Sequence, residues 1–130
     1  MITTTDIANI LYRDCKSFGM NTYQKGNIPM GEVTEERVII RTRTKTPEKY
    51  WEKGFIEVNL CVPDLKDGVA NLIRLNELER EAEQKLKYSS GAYDDTRYRY
   101  SIDTVGVESD SSLRCHYVNI KILFEILNTK

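Results

Sequence analysis

A chain of 130 residues that is 40% hydrophobic and 30% charged, with a formal net charge of −1, has the makeup of an ordinary soluble globular protein. At this length roughly two-thirds of the unfolded surface can be buried, so residues 1–130 read as a single domain. The near-zero charge argues against a general nucleic-acid binder, because phosphate contacts supply most non-specific affinity and call for a basic excess.

The opening Met1-Ile2-Thr3-Thr4-Thr5-Asp6 lacks a basic leader followed by an apolar run, so no signal peptide is expected. The longest apolar cluster, residues 120–127, is interrupted by Lys121 and Glu125 and is far too short to span a bilayer. Cys15, Cys61 and Cys115 are widely spaced and odd in number. They read as small buried hydrophobes in a reducing compartment, and the expected location is cytoplasmic.

In chain order, Thr4 or Thr5 can cap a first helix with Ile7, Ile10, Leu11, Cys15 and Phe18 on one face, and Gly19 is a plausible stop. Residues 20–36, with Gly26, Asn27, Pro29 and Gly31, read as a long loop. Residues 37–44 alternate as a strand, Val38 and Ile40 inward and Arg37, Arg41 and Arg43 outward, with Ile39 breaking the outer pattern. A second strand over 55–62 turns Ile56, Val58, Leu60 and Val62 inward, making a hairpin whose long tip holds Pro47 and Gly54.

Pro63-Asp64 then leads into the most regular stretch, 65–87. Leu65, Val69, Leu72, Leu75, Leu78, Ala82 and Leu86 fall at steps of three or four and predict one amphipathic helix. Residues 88–96, rich in Ser, Gly and Asp, read as a loop. Tyr98, Tyr100 and Ile102 begin a third strand whose phase shifts near Thr104–Gly106, as a bulge would shift it. After a turn over 108–112, residues 113–127 form a last strand with Val118, Ile120, Ile122, Phe124 and Ile126 on one face. The expected fold is α+β, in the order α-β-β-α-β-β, with an antiparallel sheet of about four strands and two helices packed on one face. Its other face would show Arg37, Arg41, Arg43, Glu57, Asn59, Arg99, Asp103, Lys121 and Glu125, polar and mixed in sign.

Chemistry is sparse. Cys115 and His116 invite a thiol–imidazole pair, but neighbours in a strand point to opposite faces. His116 then reads as a partly buried polar residue at a strand end. The cysteines and the histidine lack the paired spacing of a zinc site. Asp94-Asp95 and Glu108-Ser109-Asp110 read as solvated turns and not as cation loops. No phosphate loop or nucleophile elbow is present, so no catalytic, cofactor or metal residue is assigned. Arg97-Tyr98-Arg99-Tyr100 could suggest stacking on bases, yet alternation sends Arg and Tyr to opposite faces. The remaining candidate is the hairpin: Arg41, Arg43, Lys45, Glu48, Lys49, Tyr50, Trp51, Glu52 and Lys53 suit a partner contact. Trp51 has two readings, an interface anchor or a cover over one end of the core.

The succession of elements also resembles a family. The N-terminal helix, the loop Gly26-Asn27-Ile28-Pro29-Met30-Gly31, the long-tipped hairpin and the Val62-Pro63-Asp64 exit into the helix are similar to tail-completion or tail-terminator proteins of tailed bacteriophages and prophages. Such proteins join tail to head. In the family a proline often opens the first strand, where this chain has Glu35-Glu36-Arg37. The resemblance implies a structural neck protein without catalysis or cofactor, made in the bacterial cytoplasm and ending in the virion. It also implies a homo-oligomeric ring, often of six, against a tail-tube or head-connector protein, with no membrane and no sequence-specific nucleic acid. A small α+β binding or regulatory module is the alternative.

Overall fold

The computed structural model describes residues 1–127. Helix α1 (Thr4–Cys15) begins at a reciprocal cap. The Thr3 hydroxyl accepts from the Asp6 amide at 3.1 Å, and the Asp6 carboxylate accepts from the Thr3 amide at 3.0 Å. Two amides that the first turn leaves without helical partners are thereby satisfied. The cap is thus Thr3 and not Thr4 or Thr5, because only Thr3 has an acid three residues on. Gly19, at φ 74°, ends the short 3₁₀ turn after the helix in the left-handed conformation that glycine adopts without steric cost.

Six strands follow: β1 (Asn21–Gln24), β2 (Arg37–Thr46), β3 (Trp51–Pro63), β4 (Tyr88–Tyr93), β5 (Thr96–Asp110) and β6 (Cys115–Leu127), with helix α2 (Leu72–Leu86) between β3 and β4. They form one sheet in the order β1-β2-β3-β6-β5-β4. β1 runs parallel to β2 and every other pair is antiparallel. The class is α+β, but the expected antiparallel sheet of about four strands in α-β-β-α-β-β order is wrong: the sheet is six-stranded and mixed.

The two missed strands lie in segments read as loops. β1 is polar and only part-covered, so it has no apolar alternation to display. β4 is built from Ser, Gly and Ala between tyrosines, residues of poor strand propensity. Its formation is driven by the turn that follows. Asp94 and Asp95 both have positive φ, 50° and 61°, and join Tyr93 directly to its partner Thr96. Two left-handed residues in a two-residue connection give the hairpin turn whose twist matches the strands.

The expected helix over 65–87 also breaks. Asp67 and Gly68 take φ of 64° and 74°, which no right-handed helix can contain, and α2 starts only after Asn71, whose side chain accepts from the Arg74 amide. Leu75, Leu78, Ala82 and Leu86 are buried, while Leu65, Val69 and Leu72 are more than half exposed. The apolar stripe is continuous in sequence and only its C-terminal half meets the sheet.

One core joins both helices to the same sheet face. Ile7, Ile10, Leu11 and Cys15 of α1 and the buried residues of α2 cover Val38, Ile40, Ile56, Val58, Val118, Ile120 and Ile122. Each fully buried side chain of this kind stabilises the fold by about 1.5–3 kcal/mol. The sheet curls round α1. Gln24 of β1 donates to Asn9 at 3.0 Å, while at the other end of the strand order Tyr100 of β5 donates to Asp14 at 2.7 Å. Arg13 donates to the Tyr98 hydroxyl at 2.9 Å, and the Tyr98 and Tyr100 rings stack on Phe124.

The second face of the sheet is not wholly free, another departure from expectation. Parallel strands need a crossover, and residues 25–36, which join β1 to β2, run over that face. Val33 donates to the Leu113 carbonyl at 2.9 Å, and Val33 with Ile28 packs against Ile39, Cys61 and Cys115. Ile39, which breaks the polar pattern of β2, belongs to this second small core. Arg37, expected in solvent, lies at 5% exposure beneath the same crossover.

Candidate functional site

The β2–β3 hairpin carries the residues singled out for partner contact. A bulge sets its geometry: Thr42 pairs with Ile56 and Lys45 with Gly54, so β2 holds one residue more than β3 between those pairs. The extra residue turns Lys45 toward the core side. Its ammonium donates to the Ile2 carbonyl at 3.0 Å and lies 3.2 Å from the Glu52 carboxylate, with both side chains largely covered. Lys45 and Glu52 therefore hold the hairpin to the N-terminus. Lys53 lies 3.8 Å from Glu48, and Arg43 lies 3.6 Å from Glu57.

Exposure concentrates elsewhere. Tyr50 is 67% exposed at the tip, with the Lys49 ammonium 5.4 Å from its ring centre. Trp51 sits on the face away from the helices and is half-buried, with the Arg99 guanidinium 4.0 Å above its ring. It does not close the core. Arg99 also donates to Glu125 at 3.1 Å, and Lys121 stands 4.5 Å over the part-exposed Phe55 ring. This end of the sheet's second face is thus a platform of aromatic rings covered by cations and edged by acids. Such stacking is worth about 0.5–1 kcal/mol per pair at exposed sites. Arg41 is exposed at the border between this platform and the crossover.

A groove of about 910 Å³ opens at the opposite end of the hairpin strands, lined by Asp64, Lys66, Ser109, Arg114 and His116 among others. His116 Nδ1 lies 2.6 Å from Asp64 Oδ1, and the Asp64 amide donates to the Arg114 carbonyl at 2.9 Å. This contact fixes the orientation of the imidazole at the groove wall. Among the described residues no hydroxyl or thiol hydrogen-bonds the ring. Cys115 points the other way, into the second small core. The pairing of Asp64 with His116 escaped sequence reading because it depends on register: Val62 pairs with His116, which places the next turn of chain beside the ring.

A second recess, of about 350 Å³, lies beneath the 25–36 crossover and includes Arg37, Cys61 and Cys115. Burial pushes the Cys61 thiol up to about 12, so it stays protonated at neutral pH. Cys15, buried in the main core, is held at about 12 for the same reason. Among the described residues no three His, Cys, Asp or Glu side chains converge as a metal site would require. No helix among them is long and apolar enough to cross a membrane.

No protein-family model matches this chain, and no curated protein does. Solved structures do match. One is similar with a TM-score of 0.64 over 98% of this chain and 96% of its own length, at 10% identity. Likeness at that identity is a likeness of fold alone, over nearly the whole of both chains.

Proposed function

We propose that this domain is a structural subunit of a phage or prophage neck, of the tail-completion, tail-terminator or head–tail joining kind, that assembles side by side into a ring. The observation that carries this reading is the open sheet. The strand order leaves β1 and β4 as edges, both short and part-exposed, and β2 extends past β1 toward a projecting tip. Open edges and projecting tips are what a neighbouring copy can pair with or cover, and a closed ring uses such unlike patches in heterologous contacts. Most charges of the hairpin are already paired within the chain, which leaves Tyr50 and Lys49 as the tip residues best placed to reach a neighbour. The subunit is made in the bacterial cytoplasm and its partners are copies of itself and a tail-tube or head-connector protein; the role needs no catalysis.

Electron microscopy of particles carrying the labelled protein tests the reading. A ring of label at the neck is expected, and particles without label at that position would sink it. Tyr50→Ala combined with Lys49→Glu leaves the fold intact and blocks ring assembly; normal assembly by this variant would remove the tip from the contact. The alternative reading, a small binding or regulatory module, draws its support from the recess around Arg37.

A further inference from the structure

Arg37 opens β2 on the sheet face that the crossover covers, between Asn21 of β1 and Cys61 of β3. It is 5% exposed, and its buried Nε has no hydrogen-bond partner among the described residues. Burying a guanidinium without an acceptor is costly, and native chains rarely leave such a donor unmet. The nearest carboxylate in sequence does not help it. Glu36 turns the other way and accepts from Arg74 at 2.8 and 2.9 Å, fastening the crossover to α2. The Cys61 thiol beside Arg37 is a weak acceptor.

The recess that Arg37 lines has an acidic side of Glu57, Glu108 and Asp110, of which Glu57 and Asp110 are engaged. Glu57 accepts from Asn119 and lies 3.6 Å from Arg43. Asp110 accepts from Ser112 at 2.6 Å and from the Leu113 amide at 3.3 Å, and these bonds hold its carboxyl below the usual range. Arg41 lies at the mouth, and the walls include Ile28, Ile39 and Leu113. The recess is therefore a small partly apolar cavity whose wall includes the Arg37 guanidinium, with its Nε–H unmet.

We propose that this recess binds a small monocarboxylate, whose oxygens take the Arg37 guanidinium and whose short apolar body lies against Ile28, Ile39 and Leu113. A planar carboxylate matches the guanidinium edge with two parallel hydrogen bonds, and the apolar walls of Ile28, Ile39 and Leu113 favour an anion with a hydrocarbon body over sulfate. One charge fits better than two, because Glu108 faces the same space. The carboxylate comes either from a free small molecule or from a side chain or terminus of a second copy.

Butyrate is the probe, with butyramide as its neutral isostere and sulfate as a tetrahedral control. Butyrate shifts the Arg37 Nε–H resonance saturably and raises the melting temperature, while butyramide and sulfate do neither at equal concentration. Arg37→Met weakens the butyrate response about tenfold to a hundredfold, the loss expected for a hydrogen-bonded ion contact. The Nε–H comparison in the unaltered protein needs no variant and stands even if Arg37→Met folds poorly. Sedimentation separates the sources. Self-association that butyrate competes away assigns the carboxylate to a second copy, and butyrate binding by a protein that stays monomeric assigns it to a free ligand. An equal response to sulfate or butyramide, or an Nε–H that no carboxylate moves because water alone meets it, overturns the proposal.

Discussion

Gly91→Ala tests how tightly the β4 edge is laid on the core. Gly91 pairs directly with Tyr98 across the hairpin. A methyl group at position 91 would stand 2.9 Å from the Tyr98 hydroxyl, 3.1 Å from Cζ and 3.3 Å from Cε2. The ring cannot easily retreat: it is 4% exposed, its centre lies 5.1 Å from that of Phe124, and its hydroxyl accepts from Arg13. Overpacking of this kind costs about 1–3 kcal/mol. Against that stands a gain of about 0.4–1 kcal/mol, because alanine leaves the unfolded chain fewer conformations. The net loss is about 1–2 kcal/mol, or a fall in melting temperature of roughly 4–8 °C for a domain of this size. Thermal and urea unfolding measure it, and the cost shrinks in a Tyr98→Phe background, where the nearest atom is gone. A neutral or stabilising Gly91→Ala, or an equal cost in both backgrounds, would show that the ring does not fix the strand.

Tyr100→Phe removes the donor to Asp14 that ties β5 to α1 and lowers stability by about 1.5–3 kcal/mol by urea unfolding, because the acceptor is a carboxylate. Leu75→Ala costs about 2–5 kcal/mol, whereas Leu72→Gln on the same sequence stripe changes stability by no more than about 0.5 kcal/mol, since Leu75 is 1% and Leu72 67% exposed. Burial holds the Cys15 and Cys61 thiols at about 12 against an ordinary 9.0. The unfolded chain therefore loses these protons at lower pH than the folded one, so stability is unaffected below about pH 9 and falls from there toward pH 12, by at most about 1.4 kcal/mol per pH unit for each thiol. Urea midpoints taken between neutral pH and about pH 10.5 follow the decline, and both thiols resist alkylation until the chain unfolds.

Local pattern was enough for the elements that face the main core. The period of two in β3 and β6 and the spacing of Ile7, Ile10 and Leu11 in α1 are consequences of which side chains must leave water, and they are written residue by residue. The bulge in β5 was legible as a shift of phase, and the structure places its extra residue at Asp103, between the pairs Ile102–Ile122 and Thr104–Lys121. Strands β1 and β4 were not legible, because edge strands of small polar residues owe their form to a neighbour's open hydrogen bonds and to a turn, not to their own apolar content. The N-terminal half of the 65–87 stripe misled, since periodicity records what could be buried and two left-handed residues decide what is.

The sequence by itself determined the alternating core residues of β2, β3 and β6, the apolar face of α1 and the burial of the cysteines. Tertiary structure alone decided the parallel pairing of β1 with β2, and with it the crossover that roofs Arg37 and gathers Cys61 and Cys115 beneath it. It alone set the register that brings Asp64 to His116. The reason is one of range: burial is encoded at each position, whereas pairing is a relation between distant segments that no single segment contains.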